Sequence, residues 1–87
     1  MDKEKIMQGV RMILEGVGED LEREGLVKTP ERVAKMYEEL LWGVDINPAD
    51  VIQAMFMEEH EEMIVVKDIP FYSICEHHLI PFLGKAH

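Results

Sequence analysis

The feature that most constrains this chain is a change of period at about residue 60. Before it, apolar residues recur at three- and four-residue intervals; after it, they become β-branched and roughly alternate. Ile6, Val10, Ile13, Leu14 and Val17 mark one face of a helix over residues 2–17, with Asp2 placed to cap it. Residues 19–26 read as one or two helical turns closed by Gly25. Thr29-Pro30-Glu31-Arg32 is a strong helix start: the threonine hydroxyl can accept from a free N–H, and a proline in the first position gives up no bond. Val33, Met36, Tyr37, Leu40 and Leu41 form the apolar face of that helix, with Gly43 as its stop. Asn47-Pro48 repeats the cap-plus-proline device, opening a short helix to about Phe56 with Val51, Ile52 and Met55 inward.

Beyond the acidic run at 58–62, residues 63–69 are β-branched and read as a strand. Pro70 ends its regular pairing or marks an edge. Residues 71–74 then approach a polar cluster, Cys75-Glu76-His77-His78, and residues 82–87 start like a second strand. The expected class is therefore α+β, a single unit with a helical region over 1–60 and the strands and polar turn over 61–87. Two strands alone make a marginal sheet. Neighbouring chains are expected to complete it, or the chain is the front part of something longer.

Composition narrows the function classes. Nine Lys and Arg stand against 18 Asp and Glu, a formal charge of -9, which argues against a nucleic-acid binder that must neutralise phosphates. It leaves room for a small anion held by a few local cations. An apolar content of 47% is too high for a disordered acidic chain. A single cysteine rules out an internal disulfide. With no basic-then-apolar leader and no apolar run long enough to span a bilayer, a cytoplasmic protein without membrane contact is expected.

Two groups of residues carry chemistry. Thiolate and imidazole are preferred ligands of zinc, and a Cys-x-x-His spacing converges on one ion where the backbone turns. Adjacent residues usually point apart, so one of His77 and His78 reads as a metal ligand with Cys75 and the other as an acid or base facing substrate. The bland alternative is a buried free thiol beside two hydrogen-bonded or surface histidines. Zinc sites take three or four protein ligands; His87 is a candidate third, although a strand would carry it away from the turn, and His60 in its acidic run reads as solvated. Arg32 and Lys35 lie three apart early in a helix, where cations oppose the helix dipole and an anion is favoured. Salt bridges to Glu31, Glu38 or Glu39 are the competing explanation. Tyr37, Trp42 and the seven methionines read as core or oligomer contacts.

Taken together, Gly18-Glu19-Asp20, Arg23-Glu24-Gly25-Leu26, Thr29-Pro30-Glu31-Arg32-Val33-Ala34-Lys35-Met36-Tyr37, Val66-Lys67-Asp68-Ile69 and the string from Ser73 through Cys75-Glu76-His77-His78-Leu79-Ile80-Pro81-Phe82-Leu83-Gly84 to His87 resemble GTP cyclohydrolase I, in order and over essentially the whole chain. The resemblance implies zinc-dependent hydrolysis of GTP at C8, release of formate and formation of 7,8-dihydroneopterin triphosphate, the entry to tetrahydrofolate and pterin synthesis. It implies Cys75 and His78 as two of three zinc ligands, His77 as the acid/base at N7 of the purine, and Arg32 and Lys35 as triphosphate contacts across a subunit boundary. Glu76 is implied only as a supporting carboxylate. Members of the family are about twice as long and adopt the tunnelling fold, usually as decamers. The part not present here carries the third zinc ligand and the guanine-recognising glutamate, so this segment alone is expected to be inactive. The alternatives are a non-enzymatic oligomerising module and a small structural-zinc protein.

Overall fold

Helix α1 (Lys3–Gly16) starts just after Asp2, whose backbone is extended and whose carboxylate accepts from the Lys5 N–H at 3.0 Å, satisfying one of the free donors of the first turn. Ile6, Val10 and Leu14 are half-buried, as their spacing predicts, whereas Ile13 and Val17, assigned to the same face, are exposed. The computed structural model describes residues 1–55 and 57–87 and resolves two compact units, Met1–Trp42 and Gly43–His87. In the first, α1 packs against α2 (Thr29–Leu40), which buries Pro30 and Ala34. The Lys3 ammonium reaches the Glu38 carboxylate at 3.2 Å between the two helices.

The connection between them departs from expectation. Residues 19–26 form a succession of tight turns and no regular helix; the Arg23 carbonyl accepts from both Leu26 and Val27 N–H groups, at 2.8 and 3.0 Å. Those turns also change the role of Thr29. α2 does begin there, with Pro30 in its first turn, but the threonine hydroxyl donates back to the Gly25 carbonyl at 3.4 Å, and no side chain caps the helix. The helix ends at Leu40, earlier than the stop expected at Gly43.

In the second unit, Asn47 caps α3 (Pro48–Val51) as read from the sequence, accepting from the Ala49 N–H at 3.1 Å. This helix is only four residues long, and Val51, Ile52 and Met55 are exposed where they were expected inward. The expected end at Phe56 lies outside the described residues. The strand expected at 63–69 is not formed. β1 instead runs Ile69–Ile74 and pairs antiparallel with β2 (Pro81–Ala86), from Ile69 opposite Ala86 to Ile74 opposite Pro81. Pro70 thus lies inside a strand, opposite Lys85. The register explains why it is tolerated. Cys75 N–H donates to Ile80 O at 2.9 Å, so that pair is hydrogen-bonded, and alternation leaves Pro70 and Pro81 in non-bonded pairs whose nitrogens face away from the partner strand.

Phe71 lies across the ladder from Gly84 with its ring over the glycine: a β-carbon there would approach Phe71 Cζ to 2.6 Å. Gly84→Ala is therefore expected to destabilise the hairpin by about 1–2 kcal/mol through overpacking. In a Phe71→Ala background the same change is expected to be neutral or stabilising, because glycine is a poor strand residue. Thermal unfolding of the four proteins of this cycle checks it; a Gly84→Ala cost that persists without the ring would remove this explanation.

Candidate functional site

The hairpin delivers the polar cluster to its tip. Residues 76–78 turn between β1 and β2, and two backbone bonds of 2.9 Å pin that turn: Cys75 N–H to Ile80 O, and Leu79 N–H to Cys75 O. Leu79 closes it at φ 56°, a left-handed conformation that costs a residue with a β-carbon about 1 kcal/mol. The result is that Cys75 sits half-buried at the end of a strand while Glu76, His77 and His78 are held in solvent. The Cys75 thiol is free. The rings of His77 and His78 are 6.4 Å apart between centroids and tilted by 40°, so the two imidazoles are not stacked.

This arrangement places one thiol and two imidazoles on a single turn, side-chain types that zinc prefers as ligands. Among the described residues no three His, Cys, Asp or Glu side chains converge on a single point. Cys75 and His78 are therefore candidate ligands presented by one turn, and the described residues do not assemble a metal site around them. His87 is not available to it. The histidine follows β2 at the open end of the hairpin, about 20 Å from the turn at ~3.4 Å per residue. There its Nδ1 accepts the Asp68 N–H at 3.0 Å. The expectation that a strand would carry His87 away from the turn is met. His60 is exposed, with Nε2 3.4 Å from a Glu58 carboxylate oxygen.

Arg32 and Lys35 belong to the other unit, together on the exposed side of the first turns of α2. Lys35 pairs with Glu31 at 3.1 Å, and Arg32 has no ion pair among the described residues. The Lys35–Glu31 pair is one of the salt bridges the sequence offered, and the structure adds one residue that the sequence reading left unassigned. Lys28, immediately before α2, joins Arg32 and Lys35 in a cluster of cations around the Glu31 carboxylate. The hydrogen bond from Lys35 is the main cause holding the Glu31 carboxyl below its ordinary range, with the charges of Lys35, Lys28 and Arg32 adding to it. A lowered carboxyl pKa stabilises the fold above the unfolded value, so this pairing is intact at neutral pH and is lost as pH falls through the lowered value. Three cations at the start of a helix oppose its dipole, and the signal for Lys28 was its place one residue before that start.

The GTP cyclohydrolase I family profile matches residues 6–87 of this chain. Over 87 residues the chain is 62% identical to the GTP cyclohydrolase 1 of Carboxydothermus hydrogenoformans, covering 100% of this chain and 45% of that protein. It is 60% identical over 87 residues to that of Brevibacillus brevis and 60% identical over 88 residues to that of Clostridioides difficile, covering 100% of this chain and 46% of each relative. The chain spans about half the length of the curated relatives it matches.

Proposed function

Because the chain belongs to the GTP cyclohydrolase I family, we propose that the full-length protein carrying it hydrolyses GTP at C8 of the purine, releasing formate and yielding 7,8-dihydroneopterin triphosphate. The observation that carries this reading is the pinned turn that presents Cys75, His77 and His78 together. Cys75 and His78 would hold a zinc ion with a third ligand from the rest of the protein. A zinc ion so held supplies a water that is nucleophilic near neutral pH.

The chain's own residues supply part of the remaining chemistry. His77 holds a proton for N7 of the purine; its transfer to N7 draws electrons from C8 and makes that carbon electrophilic as water adds. The same imidazole can take a proton back as a second hydrolytic step frees formate. Glu76, exposed beside them, has a supporting role at most. Arg32 and Lys35 bind the triphosphate, which resolves the conflict between cations and helix dipole by adding an anion that both favour.

The fold that goes with this reading is the tunnelling fold, the hairpin contributing its first strands. The apolar side chains left in solvent support assembly into a homo-oligomer, of which the family's decamer is the natural form: Trp42 is 63% exposed and Leu83 85%. Among the described residues no helix is long and apolar enough to cross a membrane; a cytoplasmic location is part of the proposal.

Incubating the full-length protein with GTP and quantifying formate and pterin together tests the activity. One formate per dihydroneopterin triphosphate is expected; GTP consumption without formate would contradict it. Residues 1–87 expressed alone are expected to release no formate above background, since they lack a complete zinc shell.

A further inference from the structure

The start of α2 holds one carboxylate among three cations, and that carboxylate is already engaged. We infer that Glu31 is an internal competitor for the triphosphate: its carboxylate occupies the Lys35 ammonium, 3.1 Å away, which an incoming polyphosphate must take over. This inference rests on the proposed reading of Lys35 as a triphosphate contact.

Four observations support it. Glu31 and Lys35 are one helical turn apart on α2, so the pair forms without help from any other element. Both side chains are more than half exposed, at 54% and 67%, so Lys35 can change partners without repacking its surroundings. An exposed pair of this kind is weak enough to be displaced, yet its loss must be subtracted from the binding of any ligand that displaces it. The Lys35 hydrogen bond is also the main cause that lowers the Glu31 carboxyl from its ordinary range, consistent with the ion pair seen in the geometry. The cleft beside the pair is lined by Lys3, Met7, Glu31, Ala34 and Lys35 and measures about 270 Å³. Lys3 in that cleft is held by Glu38 at 3.2 Å and offers Glu31 no second partner.

The competing role for Glu31 is to hold Lys35 in position for the anion. The two roles differ in sign: removing a competitor tightens binding, and removing a positioning group weakens it. Loss of a negative charge also favours any anion at long range, so the effect must be shown to pass through Lys35.

A double-mutant cycle on the zinc-loaded full-length protein decides this. Binding of inorganic tripolyphosphate is measured by calorimetry at pH 7.5 and low salt for wild type, Glu31→Gln, Lys35→Ala and the double variant. Glu31→Gln is expected to lower the dissociation constant by about two- to fivefold, and the gain is expected to vanish in the Lys35→Ala background. Unchanged or weaker binding by Glu31→Gln overturns the inference, as does an equal gain with and without Lys35. If Lys35→Ala alone binds tripolyphosphate as wild type does, the reading of Lys35 as an anion contact fails, and this inference falls with it.

Discussion

Cys75→Ala in the full-length protein is expected to abolish stoichiometric zinc binding and to reduce formate release at least about 100-fold. That floor is the upper end of the roughly 10–100-fold loss seen when a group that merely supports a metal ligand is removed. The argument separates metal from fold. Both hydrogen bonds that pin the turn at Cys75 use its backbone, N–H to Ile80 and C=O from Leu79, so alanine preserves them. The thiol itself is free and only half-buried, and its removal leaves no large cavity. Unfolding of the zinc-free protein should therefore be nearly unchanged while metal analysis and turnover both collapse. A Cys75→Ala protein that keeps one zinc per chain would take the thiolate out of the proposed site.

His77→Ala is the second large effect, and its signature differs. Loss of a positioned acid/base typically costs about 10²–10⁴ in rate, and the loss should appear in kcat with KM for GTP little changed, because no triphosphate contact is touched. Zinc content should stay near wild type. His77 is exposed in the turn and its ring is not stacked on His78, so removing it disturbs neither the strand ladder nor its neighbour's packing. Steady-state kinetics over a range of GTP concentrations checks this. A rise in KM with kcat preserved would reassign His77 to substrate binding.

What could be read from the sequence follows from how local each signal is. Asp2 and Asn47 were legible as caps because an Asx side chain needs only its own next turn to accept a bond. Thr29 was placed correctly at a helix start and given the wrong partner: the turns before it bring the Gly25 carbonyl within reach of its hydroxyl, which residue type alone does not reveal. The strand expected at 63–69 failed for a longer-range reason. β-branched residues favour strands only where a partner exists, and the register of β2 gives partners to Ile69–Ile74. Val51, Ile52 and Met55 kept their helical spacing, yet α3 ended at Val51 and left them in solvent.

The candidate site divides in the same way. Cys75, His77 and His78 were visible because thiol and imidazole chemistry survives any backbone, and the hairpin then showed how a turn could present them. Arg32 and Lys35 stood out against the helix dipole. Lys28 did not; Glu31 was one of three carboxylates offered as a partner, and the choice among them depends on rotamers that spacing leaves open.

The division of labour between two adjacent histidines is the central claim, and bound zinc in His77→Ala and His78→Ala, measured side by side on the full-length protein, tests it most directly. The account predicts about one zinc per chain in the His77 variant and little or none in the His78 variant, with turnover lost in both. Equal zinc in the two variants, or zinc retained only when His78 is replaced, would contradict it.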